Sequence, residues 1–600
     1  MLTACATQQS KRPSTPVTPT EPPSEIGQTE VQSSARSIAQ LLDEVQQLPS
    51  RELQLAFMVQ ESLRLQANNE WQSSAALLSQ VERELEDHPT ALNAAQQRRF
   101  TIAQAQWLAS QGQFMAAQRK LRPLLDDLTR LSDSDRPLAM RLARDLAWQL
   151  GDEQQAASYA LALLDSDIAP DDSNEPWLYL RHAPEPSALT ANSRLAQGWL
   201  RLAQAAHAIV DGSESAALQN WELRYANHPA LAVAAQLKQT LVATKRTQRA
   251  LVLLPLSGQY AEQGQAVLDG MVMALEGHQN FEIIIQDSQG YDFSQLGEVI
   301  QQQQVTSVIG PLLKDNLAQI EPEAVSNVDW IALNSLERFT TPPTLWYALE
   351  PETEYSQIAR TFAKRGYQRA LVLAAESQRG QQAITAFQEA FLDAVPDGAV
   401  DTGVYRTPDD MKAIVQEKLG VTDSEERIWQ VKITAGKILV DAEARSRADI
   451  DAIFLPGGIE QTRLLKPFID VNISPFMDTI PVYATSASHI RRDALSENDL
   501  DNVRFTELPW LLPKHPAYER LQALLQQRRH WSYDLARLAA FGHDVMLLTQ
   551  HRQQLKSLPG LSLDGLTGKL HWSGTKVQRE LAWAQYDGHQ VQPVDEVTAD

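Results

Sequence analysis

One cysteine in 600 residues rules out an internal disulfide, so nothing in this chain is held together by a covalent cross-link. Long apolar runs are also missing. No stretch approaches the ~18 consecutive apolar residues that a membrane-spanning helix needs. Basic character is scarce: 53 Lys and Arg stand against 75 Asp and Glu, a formal charge of -22 spread along the chain. A nucleic-acid surface needs a net basic face, so nucleic acid is excluded as a partner on charge. Catalytic signatures are thin as well. There is no His-Glu-x-x-His, Gly-x-Ser-x-Gly or phosphate loop, and the Gly258 to Gly264 run GQYAEQG lacks the Lys-Ser/Thr that phosphate binding requires. Ser573 and Lys576 fit Ser-x-x-Lys, but Gly574 places them at a turn between strands, without the Ser-Asp-Asn and Lys-Thr-Gly partners of that motif. The histidines have no metal-ligand spacing, so neither a metal nor a cofactor is expected. The paired acids Asp126-Asp127 and Asp409-Asp410 lie in polar stretches and read as solvated faces.

What is present begins at the amino terminus. Leu2-Thr3-Ala4-Cys5 resembles the lipobox of bacterial lipoproteins, and Cys5 is then the attachment point of the lipid. Met1 leaves no room for a signal peptide ahead of it, so either the start is truncated or the tetrapeptide is accidental. Ala6 follows where Asp would signal inner-membrane retention, which by the same resemblance implies the outer membrane. Residues 1–37 are rich in Gln, Ser, Thr, Pro and Glu and poor in apolar side chains, a composition that reads as a disordered tether.

From 38 to 246 the apolar positions recur at helical spacing, beginning with Leu53, Phe57, Leu63 and Leu65. Three segments echo one another around Gly112, Gly151 and Gly212, each with an alanine five residues on: Ala117, Ala156 and Ala217. Glycine ends a helix in the left-handed conformation, and a small residue early in the next helix lets the pair pack closely. The echo resembles tetratricopeptide repeats; an irregular helical bundle is the alternative. Asp165 to Pro186 reads as an insertion loop. Its Asp165-x-Asp167 start is not a calcium loop, because Ala169, Pro170 and Asp171 break the ligand pattern.

From 247 to 600 short apolar runs such as RALVLLPLSG, VTSVIGP, RALVLAAES and DAIFLPGG alternate with amphipathic stretches. Continuous apolar strands between helices mean parallel sheets covered on both faces, and their number calls for two doubly wound lobes. The order of Ser257-Gly258, Gly264, Ile309-Gly310-Pro311, Ala332-Leu333-Asn334, Phe454 to Gly458 and Phe541 to Leu548 resembles the type I periplasmic binding proteins. That resemblance implies an interlobe cleft lined by Ser257, Gly258, Gly310, Pro311, Lys314, Asn334, Ser335, Gly457, Gly458 and His543. The glycines would equally serve as tight turns with no ligand at all. Small-ligand members carry hydroxyl residues just past the Gly-Pro turn; here Leu312, Leu313 and Lys314 stand there, and His543 replaces a frequent Tyr. A conventional amino-acid site is therefore not expected, and a vestigial or repurposed cleft is.

Taken whole, a lipidated terminus, a helical array and a clamshell resemble the LpoA family of outer-membrane lipoproteins, with PLLKDN at Pro311 to Asn316 and ALNSL at Ala332 to Leu336 closest to it. The resemblance implies a non-enzymatic activator of a class A penicillin-binding protein, docking on that peptidoglycan synthase and promoting transpeptidation. The rival reading is a lipid-anchored solute-binding or sensor protein for an amino acid or cell-wall peptide.

Overall fold

The computed structural model describes residues 38–595 apart from 171, 211–215, 243–247, 277–280, 337–342, 437–440, 474–477, 492–496 and 589. Cys5, the tether at 1–37, Gly212 and the joint at Lys245 lie outside the described residues. Two compact units divide the chain, Met1–Asp135 and Arg136–Asp600.

In the first unit, helices Arg51–Ala67 and Trp71–Asp87 form one hairpin and Ala94–Ser110 and Phe114–Leu125 form the next. The turns are built alike. Asn69 and Gly112 take positive φ (63° and 75°), and the following N–H reaches back five residues, Glu70 to the Leu65 carbonyl at 2.8 Å and Gln113 to that of Leu108 at 3.0 Å. These bonds satisfy carbonyls that a helix end would leave orphaned. Five residues past each turn stands a small, fully buried side chain, Ser74 and Ala117. The core is a cluster around Leu55, Val59, Leu77, Val81 and Phe100.

The same hairpin device recurs in the second unit at Gly151 (φ 78°), where Asp152 N–H meets the Ala147 carbonyl at 2.9 Å and Ala156 is buried. Ala217, at the equivalent place after Gly212, is half-buried. The Asp165 to Pro186 segment departs from the expected loop. It contains the helix Glu175–Leu180, whose Trp177 and Leu180 are buried, because an apolar pair every third residue drives even a short helix into the core. Asp165 accepts hydrogen bonds from the Asn192 and Ser193 N–H groups (2.9 and 2.7 Å) and so caps the approach to the next helix, Arg194–Val210.

Helix gives way to strand between Val242 and Gln248, yet compactness does not divide the chain there. Leu180, Ala183 and Leu237 share one apolar cluster with Leu555, Leu558 and Leu561 of the α/β part. Arg181 donates to the Lys556 carbonyl at 3.0 Å, and Gly560 N–H donates to the Arg181 carbonyl at 3.1 Å. The helices after Asp135 therefore belong, by burial, with the sheets.

Those sheets form two lobes. The first holds β1 (Gln248–Leu254), β2 (Phe281–Asp287), β3 (Ser307–Ile309), β4 (Asp329–Ala332) and β5 (Leu345–Trp346). The second holds β6 (Arg369–Ala375), β7 (Ala399–Tyr405), β8 (Ala452–Leu455), β9 (Val482–Ala484) and β10 (Arg504–Glu507). The strands pair in parallel as β2-β1-β3-β4-β5 and, in the same relative order, β7-β6-β8-β9-β10. Both are doubly wound orders, with β1 and β6 each buried along most of their length.

The chain then returns to the first sheet as β11 (Ser562–Asp564), β12 (Lys569–Ser573) and β13 (Lys576–Glu580), and crosses back to the second as β14 (Ala582–Asp587) and β15 (Gln590–Val594). It thus passes between lobes after β5, after β10 and after β13. Leu581, alone at the last crossing, is clamped by the buried Gln357 amide, which accepts from its N–H at 2.9 Å and donates to its carbonyl at 2.8 Å.

Two helices, Ala261–Ala274 and Tyr533–Gln550, pack closely along their lengths. Their backbones touch at two glycines. A Cβ on Gly270 would lie 1.8 Å from the Ala539 carbonyl oxygen, and one on Gly542 would lie 1.9 Å from that of Val267. This contact fixes the helix that reaches from the first lobe into the second.

Candidate functional site

In a doubly wound sheet the turns after the carboxyl ends of the strands face the crevice. After β1, Ser257 and Gly258 (φ 74°) begin the turn, and Asp287 from the end of β2 holds it by accepting from Leu256 N–H at 2.9 Å and Gln289 N–H at 2.9 Å. Partial burial alone would raise the Asp287 pKa; the Ser257 hydroxyl and the backbone N–H groups outweigh it and hold the carboxylate below its ordinary range. Ser257 is thereby committed to the loop.

After β3, Gly310 (φ 104°) and Pro311 are buried, and a Cβ on Gly310 would meet the Leu253 carbonyl at 2.4 Å. The Trp330 indole donates to the Gly310 carbonyl at 2.8 Å, and Asn334 Nδ2 donates to that of Leu312 at 3.0 Å. These side chains tie the turns to one another. Lys314 is exposed, and Ser335 N–H closes on Asn334 Oδ1 at 2.9 Å.

Leu312, Lys314, Asn334 and Ser335 line a cavity of about 490 Å³ together with Leu349, Glu350, Leu538 and Phe541. Gly457 and Gly458 sit at the end of β8 in the other lobe, outside that lining, where a Cβ would meet Gln461 at 2.9 and 3.3 Å. His543 lies outside it too. Its ring contacts Asp544 Oδ1 at 2.9 Å, and the buried Asp544 accepts from Leu566 N–H (2.8 Å), Thr567 N–H (2.7 Å) and the Thr567 hydroxyl (2.5 Å). Ser573 and Lys576 face each other across the two-residue turn of the β12/β13 hairpin; Ser573 is exposed and Lys576 is bound to Glu350 at 2.7 Å.

Between the lobes stands a polar constellation that motif reading does not reach. Arg537, on the helix packed against the first lobe, projects into the strand ends of the second. Its guanidinium donates to both oxygens of Glu507 (Nε to Oε1 at 3.2 Å, Nη2 to Oε2 at 2.6 Å) and to the Ser486 and His489 carbonyls at 2.8 and 2.9 Å. His489 Nδ1 lies 2.8 Å from Glu507 Oε2, and Asp534 holds Nη1 at 2.8 Å. Glu507 is fully buried and the Arg537 side chain is 11 % exposed.

Burial favours the neutral acid at Glu507, but the Arg537 charge and the His489 hydrogen bond overcome it and leave its pKa below the ordinary value. Burial opposes the charge on Arg537 as well, and Glu507 more than restores it, raising the pKa. Beside this pair, Glu354 accepts from Ser486 N–H (2.6 Å), the Ser486 hydroxyl (3.1 Å) and the Thr506 hydroxyl (2.5 Å). Complete burial wins there, and its pKa is raised. The Arg537 guanidinium is thus satisfied between the lobes by one carboxylate and two carbonyls of the chain itself. The sequence carried only a weak trace, Glu507 in the run VRFTEL, where Arg504 and Thr506 are polar as well; its complete burial in the structure is what demands a partner.

Among the described residues no group of three or more His, Cys, Asp or Glu side chains could hold a metal, and no helix is long and apolar enough to cross a membrane.

A family model described as LppC putative lipoprotein matches residues 32–588. Among curated proteins, the chain is 26 % identical over 526 residues to a penicillin-binding protein activator LpoA of Photobacterium profundum, covering 82 % of this chain and 84 % of that protein. It is 27 % identical over 523 residues to the protein of the same name from Vibrio cholerae, covering 82 % and 85 %. Among solved structures, Haemophilus influenzae LpoA in a monoclinic form superposes with a TM-score of 0.59 at 24 % identity, covering 94 % of this chain and 98 % of that one. Its other monoclinic form gives 0.55 at 25 % identity over 93 % and 98 %.

Proposed function

The chain belongs to the LppC family of putative lipoproteins, and from that premise we propose that it activates a class A penicillin-binding protein, stimulating transpeptidation from the periplasmic face of the outer membrane through a lipid on Cys5. The carrying observation is coverage: relatives named penicillin-binding protein activator align along more than four-fifths of both chains, and the family model spans residues 32–588. The interlobe geometry supports the same reading. With Arg537 seated on Glu507, the head is a docking body whose lobes are joined by buried polar contacts. It needs no bond chemistry of its own.

The mechanism is allosteric. Docking favours the synthase's active arrangement by the difference in its affinity for the two states of the enzyme, and by no more than that. Mixing the purified chain with its synthase tests this: crosslinking rises with activator and saturates, whereas an unchanged rate at saturating binding defeats the reading.

A second reading rests on the cavity beside Lys314 and Asn334, which is large enough for a small solute. A sensor of amino acids or cell-wall peptides would be stabilised by ~2.7 kcal/mol at 100 times its dissociation constant. A thermal-shift screen that finds such a ligand favours this reading.

A further inference from the structure

In the helix Val421–Ala435 of the second lobe, only Val421 and Ser424 are buried. They seat its first turn, where the Arg445 N–H donates to the Ser424 hydroxyl at 3.0 Å. From Glu425 to Thr434 every residue but the half-buried Ile428 is exposed. At about 1.5 Å per residue, some 15 Å of helix therefore stands in water. The sequence of that stretch, EERIWQVKIT, is not the sequence of a solvated helix. Trp429 is 65 % exposed, Val431 53 % and Ile433 58 %. Single apolar side chains on a surface need no explanation, but three within five positions of one projecting helix form a patch. Helices this short gain little from propensity, and burial of an apolar face is what ordinarily holds them.

Trp429 and Ile433, four residues apart, lie one above the other on one face. Glu425 and Glu426, exposed as well, precede Trp429 by one turn and flank the same stripe. The two cations of the helix, Arg427 and Lys432, fall off that stripe at helical spacing. An apolar pair led by two carboxylates is the pattern with which a helix enters an apolar groove whose rim is basic. Charge decides the occupant. A second copy carries the same net -22, and an anionic lipid surface repels both glutamates, so neither complements this face.

We propose that this face of the helix, Trp429 and Ile433 with Glu425 and Glu426, is a docking element that enters an apolar, basic-rimmed groove on a partner protein; resting on the activator reading, that partner is the penicillin-binding protein. The test immobilises a purified class A penicillin-binding protein and titrates the full chain over it by surface plasmon resonance. Expected is wild-type binding that weakens by at least about ten-fold in Trp429→Ala and in Ile433→Ala, since a few anchors of this kind carry most of an interface's affinity. Glu425→Gln combined with Glu426→Gln slows association and flattens its salt dependence. Leu223→Ala, which truncates an exposed leucine on another helix, binds as wild type. Both anchors stand in solvent, so their variants keep the wild-type unfolding midpoint; where one does not, the other decides. Wild-type binding with unchanged affinity in both anchor variants overturns the docking assignment and leaves the activator reading standing. Absent binding of the wild type overturns both. Self-association or vesicle binding that depends on Trp429, with affinity for the synthase intact, overturns the assignment as well.

Discussion

Replacing Arg537 with alanine removes the cation that four hydrogen bonds seat on Glu507 and the Ser486 and His489 carbonyls. Glu507 is fully buried and would be left without its charged partner, keeping only one His489 ring nitrogen and the Leu508 N–H, each at 2.8 Å. Breaking a buried pair by deleting one side costs about 3–5 kcal/mol, far more than the pair contributes against an apolar substitute, because an uncompensated charge stays inside. The compact unit Arg136–Asp600 is long, and at roughly 2 cal/mol/K of unfolding entropy per residue it loses about one degree of midpoint per kcal/mol. Arg537→Ala should therefore unfold some 3–5 °C earlier by these same averages.

A double-mutant cycle makes the test specific. Glu507→Ala in the Arg537→Ala background removes the stranded carboxylate, so the double variant should be more stable than the sum of the singles by more than about 1 kcal/mol. Calorimetric and denaturant unfolding of the four proteins reads this directly. A single-variant cost below about 1 kcal/mol with additive behaviour would refute the claim that Arg537 joins the lobes.

Three further outcomes are expected, two from the geometry and one from the amino-terminal sequence. Gly542→Ala puts a methyl 1.9 Å from the Val267 carbonyl oxygen and should destabilise the head by about 1–3 kcal/mol or more as the two helices are forced apart, read by chemical denaturation. The lowered pKa of Glu507 means that its contribution is complete above the ordinary carboxylate value of 4.5 and fades as acid takes the pH below it. Wild type should accordingly lose stability on acidification more steeply than the Glu507→Ala, Arg537→Ala double variant. Cys5→Ser should abolish incorporation of labelled palmitate in cells and release the chain from the membrane fraction; retention of label refutes lipidation at Cys5.

The α/β half was legible because its strands are short apolar runs broken by Gly, Pro and Ser, and runs of that kind can be buried only between helix layers. The hairpin turns at Gly112 and Gly151 were legible for the same local reason, since a residue at positive φ favours glycine. Asn69 performs the same turn and escaped notice because asparagine also tolerates that conformation. The division at Asp135 leaves no trace in periodicity: the helices on either side of it share composition, and only shared burial with Leu555, Leu558 and Leu561 assigns the later ones to the sheets. Arg537 was out of reach because its partners, Ser486, His489 and Glu507, come from a distant stretch of chain, and one arginine on an amphipathic helix ordinarily means a solvated face. The glutamate inside VRFTEL was the trace it left.

The decisive measurement is the crosslinking rate of a purified class A penicillin-binding protein on its lipid-linked substrate with increasing amounts of the full chain. A rise that saturates near one activator per synthase, with no product formed by the chain alone, is the predicted result. Demonstrated binding that leaves the rate where it started would contradict it.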